Sequence, residues 1–269
     1  MKLLGRIVKS FVILIILIVG ILYFFQEKLI FNSSVIAHDY QYQFATKYEE
    51  LFLKAKDGAV LNGIHFKQDN PNGIILYCHG NTGGVDVWGK WGEELSNRYG
   101  YDVIVWDYRG FGKSTGKRRQ TRMLDDGFLF YEYCRSFFSD TEIVTYGRSL
   151  GGFFATHMVK KYDAGRLVLE STPMSLLKIA QQEYPFLPSK YLLKYRFQNN
   201  QNIKKITVPT FIIHGTSDGL IPYENGESLI KLSNANTKKL FTVVGGDHNN
   251  LSDFEQVYFE ALDSIFRLK

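Results

Sequence analysis

The stretch "TYGRSLGG" holds Ser149 between Gly147 and Gly151, with Gly152 directly behind. A serine hydroxyl becomes a nucleophile only when a base takes its proton and an acid orients that base. With both partners, the chemistry is acyl transfer: attack on a carbonyl, an acyl-enzyme, then hydrolysis. The competing reading is a tight turn without chemistry, since three glycines also suit a turn. The choice depends on a histidine and a carboxylate placed where they can meet Ser149.

Six histidines are available. His38 lies close to an N-terminal apolar run, His65 in early strand text and His157 in mid-helix. His79 and His214 each close an apolar run just before a glycine and read as turn formers. His248 follows "TVVGGD", in a glycine-flexed loop before the final helix, so its ring can swing toward the serine. It is the candidate base. Asp218, in "HGTSDGLIP", stands after the preceding strand and is the candidate acid. Asp247 and Glu170 are the alternatives; the first, adjacent to His248 in the chain, has poor geometry to reach the ring from behind. A tetrahedral intermediate also needs two aimed N–H groups. The amide of Leu150, just after the serine, and the amide of Asn81, in "HGNTGG", are the candidates. A metal reading would recruit His79, His214, Asp218 and His248, yet no H-x-H or H-E-x-x-H spacing is present. No metal and no organic cofactor is expected.

These residues need a scaffold that collects them. "KYEELFLKA" and "VLNGIHFKQ" around "KDG" read as an antiparallel pair. "GIILYCHG", "YDVIVWDYRG", "EIVTYG", "GRLVLES", "VPTFIIHG" and "KLFTVVGG" read as further strands, most of them apolar enough to be buried on both faces. Helical text lies between several of them, at about 84–98, 123–138 and 150–161, and again at about Asp253 to Leu268. Repeated strand–helix–strand text implies a parallel sheet with helices on both faces, whose reactive groups gather at the strands' carboxyl ends. Ser149, Asp218 and His248 each follow a separate strand.

The chain has 269 residues, 45% of them hydrophobic, which suits one fairly large domain, or one domain plus an appendage. The net charge of +5 is mild. The cluster Lys113, Lys117, Arg118, Arg119 and Arg122 reads as a solvated loop, with phosphate or headgroup binding as the alternative. No nucleic-acid motif accompanies it, and no nucleic-acid partner is expected. Cys78 and Cys134 make no metal pattern and are read as buried thiols. The oligomeric state is left open.

"FVILIILIVGILYFF", from Phe11 to Phe25, carries no charge and follows Lys2, Arg6 and Lys9. As a helix it spans about 22 Å, against a hydrocarbon core of about 30 Å; Ile7 and Val8, with Lys9 snorkelling, lengthen it. No small-x-small cleavage site follows, so a retained anchor over 1–30 is preferred to a cleaved signal peptide. The cations ahead of the run place the N-terminus in the cytoplasm and the body, 31–269, on the outer side. Tyr23, Phe24, Phe25 and Phe31 fit an aromatic belt, or plain packing.

Taken in order, "YCHGNTGG", "DYRGFGKSTG", "YGRSLGG", "HGTSDGLIP" and "GGDHNN" resemble the α/β-hydrolase superfamily, and more narrowly its Bem46 and ABHD13-like branch of membrane-anchored serine hydrolases. The likeness covers roughly Tyr48 to Lys269. It implies an α/β-hydrolase fold, a mostly parallel eight-stranded sheet flanked by helices. It also implies triad roles for Ser149, Asp218 and His248, in the family's chain order, with Asn81 and Leu150 as oxyanion donors. "HGNTGG" departs from the more usual HGNAGN, which alters loop polarity but not the backbone donors. Asp107 and Arg109 are implied to hold loops near the site.

The insertion at about 173–202, including "YPFLPSKYLLKYRF", reads as a small apolar cap suited to an acyl chain, or as packing alone. The leading function is hydrolysis of a carboxylic ester or thioester, with a small-molecule or lipid-like acyl substrate. A serine peptidase or amidase is the alternative, and a catalytically idle binding protein the alternative from another class.

Overall fold

The computed structural model describes residues 2–267; Met1, Leu268 and Lys269 lie outside the described residues, and with them the expected end of the last helix at Leu268. The strands are β1 (Tyr48–Lys54), β2 (Val60–Phe66), β3 (Ile74–Cys78), β4 (Asp102–Trp106), β5 (Ile143–Arg148), β6 (Arg166–Glu170), β7 (Thr210–Gly215) and β8 (Lys238–Val243). The helices are α1 (Lys2–Ile30), α2 (Val85–Tyr99), α3 (Gln120–Arg135), α4 (Gly151–Val159), α5 (Leu176–Glu183), α6 (Ser189–Leu192), α7 (Asn199–Asn202), α8 (Glu224–Leu232) and α9 (Glu255–Phe266).

One eight-stranded sheet runs in the order β1-β2-β4-β3-β5-β6-β7-β8. β1 and β2 form the expected hairpin, and β2 joins β4 antiparallel, while every other pairing is parallel. The sheet is therefore mixed, with its antiparallel part confined to one edge. β3, β4 and β5 are buried along their whole length, as the unbroken apolar runs require of strands covered on both faces. Alternation across the pleat splits the core in two. Ile74, Leu76 and Cys78 join α3, α4 and α8 on one side, and Ile75 and Tyr77 join α2 and α9 on the other.

α1 is apolar and long enough to cross a membrane, with a mean hydropathy of 2.8 in its most apolar window. At 29 residues it is roughly 43 Å long, more than a hydrocarbon core of about 30 Å. The expected apolar run ended at Phe25; the helix continues to Ile30 because "QEKLI" holds no breaker. Phe31 is not part of an exposed belt. It is 2% exposed and packs edge-on to Tyr195, with ring centroids 4.9 Å apart. Tyr23, Phe24 and Phe25 are exposed.

In the basic cluster Lys117, Arg119 and Arg122 are exposed, as a solvated loop requires, but Lys113 and Arg118 are not. Lys113 is buried, 2.7 Å from Glu50 and donating to the Tyr40 carbonyl. Arg118 donates to the carbonyls of Arg109 and Gly110 and lies over the rings of Phe31 and Phe111. Both tie the segment after α1 to the body, a role that depends on partners distant in the chain. α8 was not anticipated; its short apolar face is legible only against β7 and β8.

Candidate active site

β5 delivers Ser149, and the turn that follows it is as tight as the glycines implied. Ser149 has φ +52°, in the left-handed region that side-chain-bearing residues avoid, at a cost on the order of 1–3 kcal/mol. The surroundings hold it there. A Cβ on Gly151 would lie 1.8 Å from the Cys78 carbonyl oxygen, and one on Gly147 would meet the Gly152 Cα at 2.5 Å. The close passage of α4 beside β3 is thus possible only without side chains. The Ser149 amide donates to the Glu170 carbonyl, anchoring the turn to β6.

Register brings the other strand ends level with it. Cys78 pairs with Gly147, Gly147 with Leu169, and Gly215 with Val243. The loops after β3, β5, β7 and β8 therefore leave from one edge of the sheet. On that edge His248 Nε2 lies 3.1 Å from Ser149 Oγ, and His248 Nδ1 lies 2.8 Å from Asp218 Oδ2. All three residues are buried. The other Asp218 oxygen, Oδ1, accepts the amides of Leu220 at 3.0 Å and Ile221 at 2.7 Å. Burial alone would raise the Asp218 carboxyl. Bonds from His214 and His248, the His248 charge and the Ile221 amide outweigh it and hold the group well below the usual carboxylate range.

The alternative acids are committed elsewhere. Asp247 accepts the amides of Asn249 and Asn250 within its own exposed loop. Glu170 is buried under a cluster of its own: Arg148 Nε at 3.1 Å, the Tyr258 hydroxyl at 2.9 Å, and the Tyr146 hydroxyl. Of the remaining histidines, His65 meets Asp102 at 3.0 Å across β2 and β4, and His214 donates to the Ile221 carbonyl. His79 lies against the Gly80 carbonyl at 2.7 Å and stacks on Tyr108. Asp107 accepts the Val85 amide, and Arg109 bonds Asp57 and Asp126. Neither bonds His248 or Asp218 among the described residues.

Leu150 opens α4 and Asn81 lies in the loop after β3; both border the same cavity as Ser149. Neither amide takes part in a backbone hydrogen bond among the described residues. Each can therefore serve an incoming oxygen. The cavity measures about 310 Å³, and most of its lining is apolar side chains of α1, α4 and the insertion between β6 and β7.

A model of the α/β hydrolase fold matches residues 73–202. Over 264 residues the chain is 30% identical to the protein YfhR of Salmonella typhimurium, across 90% of this chain and 88% of that protein. The chain belongs to the α/β-hydrolase family. This hydrolase is also 30% identical over 196 residues to the lysophosphatidylserine lipase ABHD12 of Danio rerio, across 65% of this chain and 50% of that protein. An esterase of Pyrococcus furiosus shares its fold at a TM-score of 0.71, with 17% identity over 88% of this chain and 97% of that one.

Two features of the hydrolase escaped sequence reasoning. Arg148, next to the serine, turns inward and donates to the His248 carbonyl at 2.6 Å while bonding Glu170. It thereby holds the histidine loop from behind. The signal was a cation and a carboxylate at the ends of two successive strands. The second is α1, whose Leu22, Gln26, Leu29 and Ile30 border the cavity. Nothing in the sequence of α1 separates Leu22, Leu29 and Ile30 from its other apolar residues.

Proposed function

We propose that this hydrolase is a membrane-anchored serine enzyme that cleaves carboxylic ester or thioester substrates through an acyl-enzyme on Ser149. The observation that carries the reading is the continuous Ser149–His248–Asp218 contact chain, opening onto an apolar cavity. His248 Nε2 takes the serine proton as Oγ attacks the carbonyl, and Asp218 stabilises the imidazolium that results. The amides of Asn81 and Leu150 receive the oxyanion. His248 then gives its proton to the departing alcohol or thiol. Water, activated by the same imidazole, releases the acid and restores the serine. No step calls on a metal or cofactor.

In this reading residues 1–30 are the anchor, with the N-terminus cytoplasmic and the body on the outer side, and about 173–202 form the cap of a domain over 31–269. An apolar cavity beside an apolar helix favours acyl groups, and the lipase and esterase names of the relatives point the same way. The test is a fluorophosphonate probe on the full chain, followed by substrates sharing one acyl group with ester, thioester and amide leaving groups. Covalent labelling at Ser149, lost in Ser149→Ala, is expected, with ester or thioester turnover ahead of amide. Labelling that survives Ser149→Ala refutes the nucleophile assignment, and amide turnover in the lead would make the enzyme a peptidase or amidase. A folded chain that neither labels nor turns over is an idle binding protein.

A further inference from the structure

The cavity above Ser149 is bounded on one side by a helix that, by its composition, belongs to the membrane. Leu22, Leu29 and Ile30 of α1 form that side, and Leu176, Ile179 and Leu192 of the insertion stand opposite. From Leu22 to Ile30 the wall runs about 12 Å along the helix axis. Its inner end is tied to the reacting centre, since Asn81 Nδ2 donates to the Ile30 carbonyl at 3.2 Å. Its outer end, at Leu22, adjoins the exposed aromatics Tyr23, Phe24 and Phe25, side chains suited to the headgroup level of a bilayer.

The polar groups on this stretch of α1 are spent on holding it in place. Gln26 Nε2 donates to the Leu192 carbonyl at 3.1 Å, and its Oε1 accepts the Lys194 amide at 2.8 Å. Glu27 accepts the Tyr195 hydroxyl at 2.9 Å. With those groups occupied, the wall presents hydrocarbon to the cavity. Phe186 and Tyr191, on the insertion that Gln26 clamps, are 98% and 77% exposed, which suits contact with lipid rather than water.

We infer that the last two turns of α1 are the acyl-binding wall of the site, and that its substrates are long-chain acyl esters of the host bilayer. One chain leaves the membrane at Leu22 and passes between α1 and the insertion to Ser149. A cavity of about 310 Å³ stands at the small end of ligand pockets and suits one chain. The inference rests on the proposed role of Ser149. It adds that the anchor is part of the specificity machinery and not only a tether.

The experiment uses the full chain in vesicles and p-nitrophenyl esters from acetate to palmitate. In Leu29→Trp the indole fills the passage, and the ratio of kcat/KM for laurate over acetate falls at least tenfold. Leu29→Ala widens the passage and moves the preferred chain length upward, which keeps the test alive if the larger side chain prevents folding. Ile21→Trp, at a position of α1 as exposed as Leu29 but outside the cavity, leaves the ratio within twofold. Laurate ester in the enzyme's own vesicles is cleaved at least tenfold faster than the same ester in enzyme-free vesicles. Fluorophosphonate labelling of each variant reports folding and separates the two readings. Variants that label normally and keep the wild-type ratio, a shift in Ile21→Trp as large as in Leu29→Trp, or equal rates from both vesicle populations overturn the inference while the nucleophile stands. A wild-type chain that does not label at Ser149 removes both.

Discussion

Asp218→Asn isolates the electrostatic part of the proposed relay with little change of shape. Asp218 Oδ1 accepts two amides, from Leu220 and Ile221, while Oδ2 faces His248 Nδ1 at 2.8 Å. An asparagine keeps its carbonyl oxygen toward the two amides, because the opposite rotamer sets an NH2 against two N–H donors. The NH2 must then face His248. That donor needs an acceptor, so Nδ1 gives up its proton and Nε2 carries one, directed at Ser149 Oγ 3.1 Å away. An imidazole in that tautomer cannot take the serine proton. The loss expected is about a thousand- to ten-thousand-fold in kcat, or about 4–5.5 kcal/mol of barrier. KM should move less than about threefold, since no substrate contact changes. Steady-state hydrolysis of a p-nitrophenyl ester gives both constants, and the rate of fluorophosphonate labelling gives an independent measure of serine reactivity. Asp247→Asn, confined to its own loop, serves as the control and should stay within about threefold of wild type. A kcat for Asp218→Asn within tenfold of wild type would show that His248 is not held by this carboxylate, and the proposed relay would fail.

Three further outcomes follow from the same geometry. Gly151→Ala puts a methyl 1.8 Å from the Cys78 carbonyl oxygen, so the turn cannot close, and folded, labelled protein should be lost in a probe assay of whole-cell lysates. Arg148→Met strips Glu170 of its buried cation and the His248 carbonyl of its donor; urea unfolding should show a loss of about 3–5 kcal/mol, with kcat falling more than KM rises. The depressed Asp218 carboxyl contributes stability that is complete above the ordinary carboxylate value of about 3.9 and is lost as pH falls through its lower folded value. Denaturant midpoints measured from pH 7 downward should therefore decline below about pH 4 in the wild type, with a shallower decline in Asp218→Asn.

Much of this molecule was legible before any coordinates. The strand runs are apolar and short, the serine turn has its glycines, and α1 announces itself by an uncharged stretch. Each of these is a local property: pleat and helix periods, φ permission and hydrophobicity act within a few residues of chain. Even the three candidate site residues could be picked out, because each lies at or just beyond the end of a strand and strand ends gather at one edge of a parallel sheet.

Distance was not legible. Chain position ranked Asp218 ahead of Asp247 and Glu170, but what each carboxylate meets is set by the folded chain: a ring, a loop's own amides, or a buried arginine with two tyrosines. Lys113 and Arg118 read as solvated because charge favours water, but partners from other segments bury the first and half-bury the second. Leu22, Leu29 and Ile30 look like any other apolar residues of α1 until the folded chain sets them along the cavity. Contacts between segments far apart in the chain are set by sheet order and loop closure. Those depend on all the elements packing at once, so side-chain chemistry and neighbouring residues do not carry them.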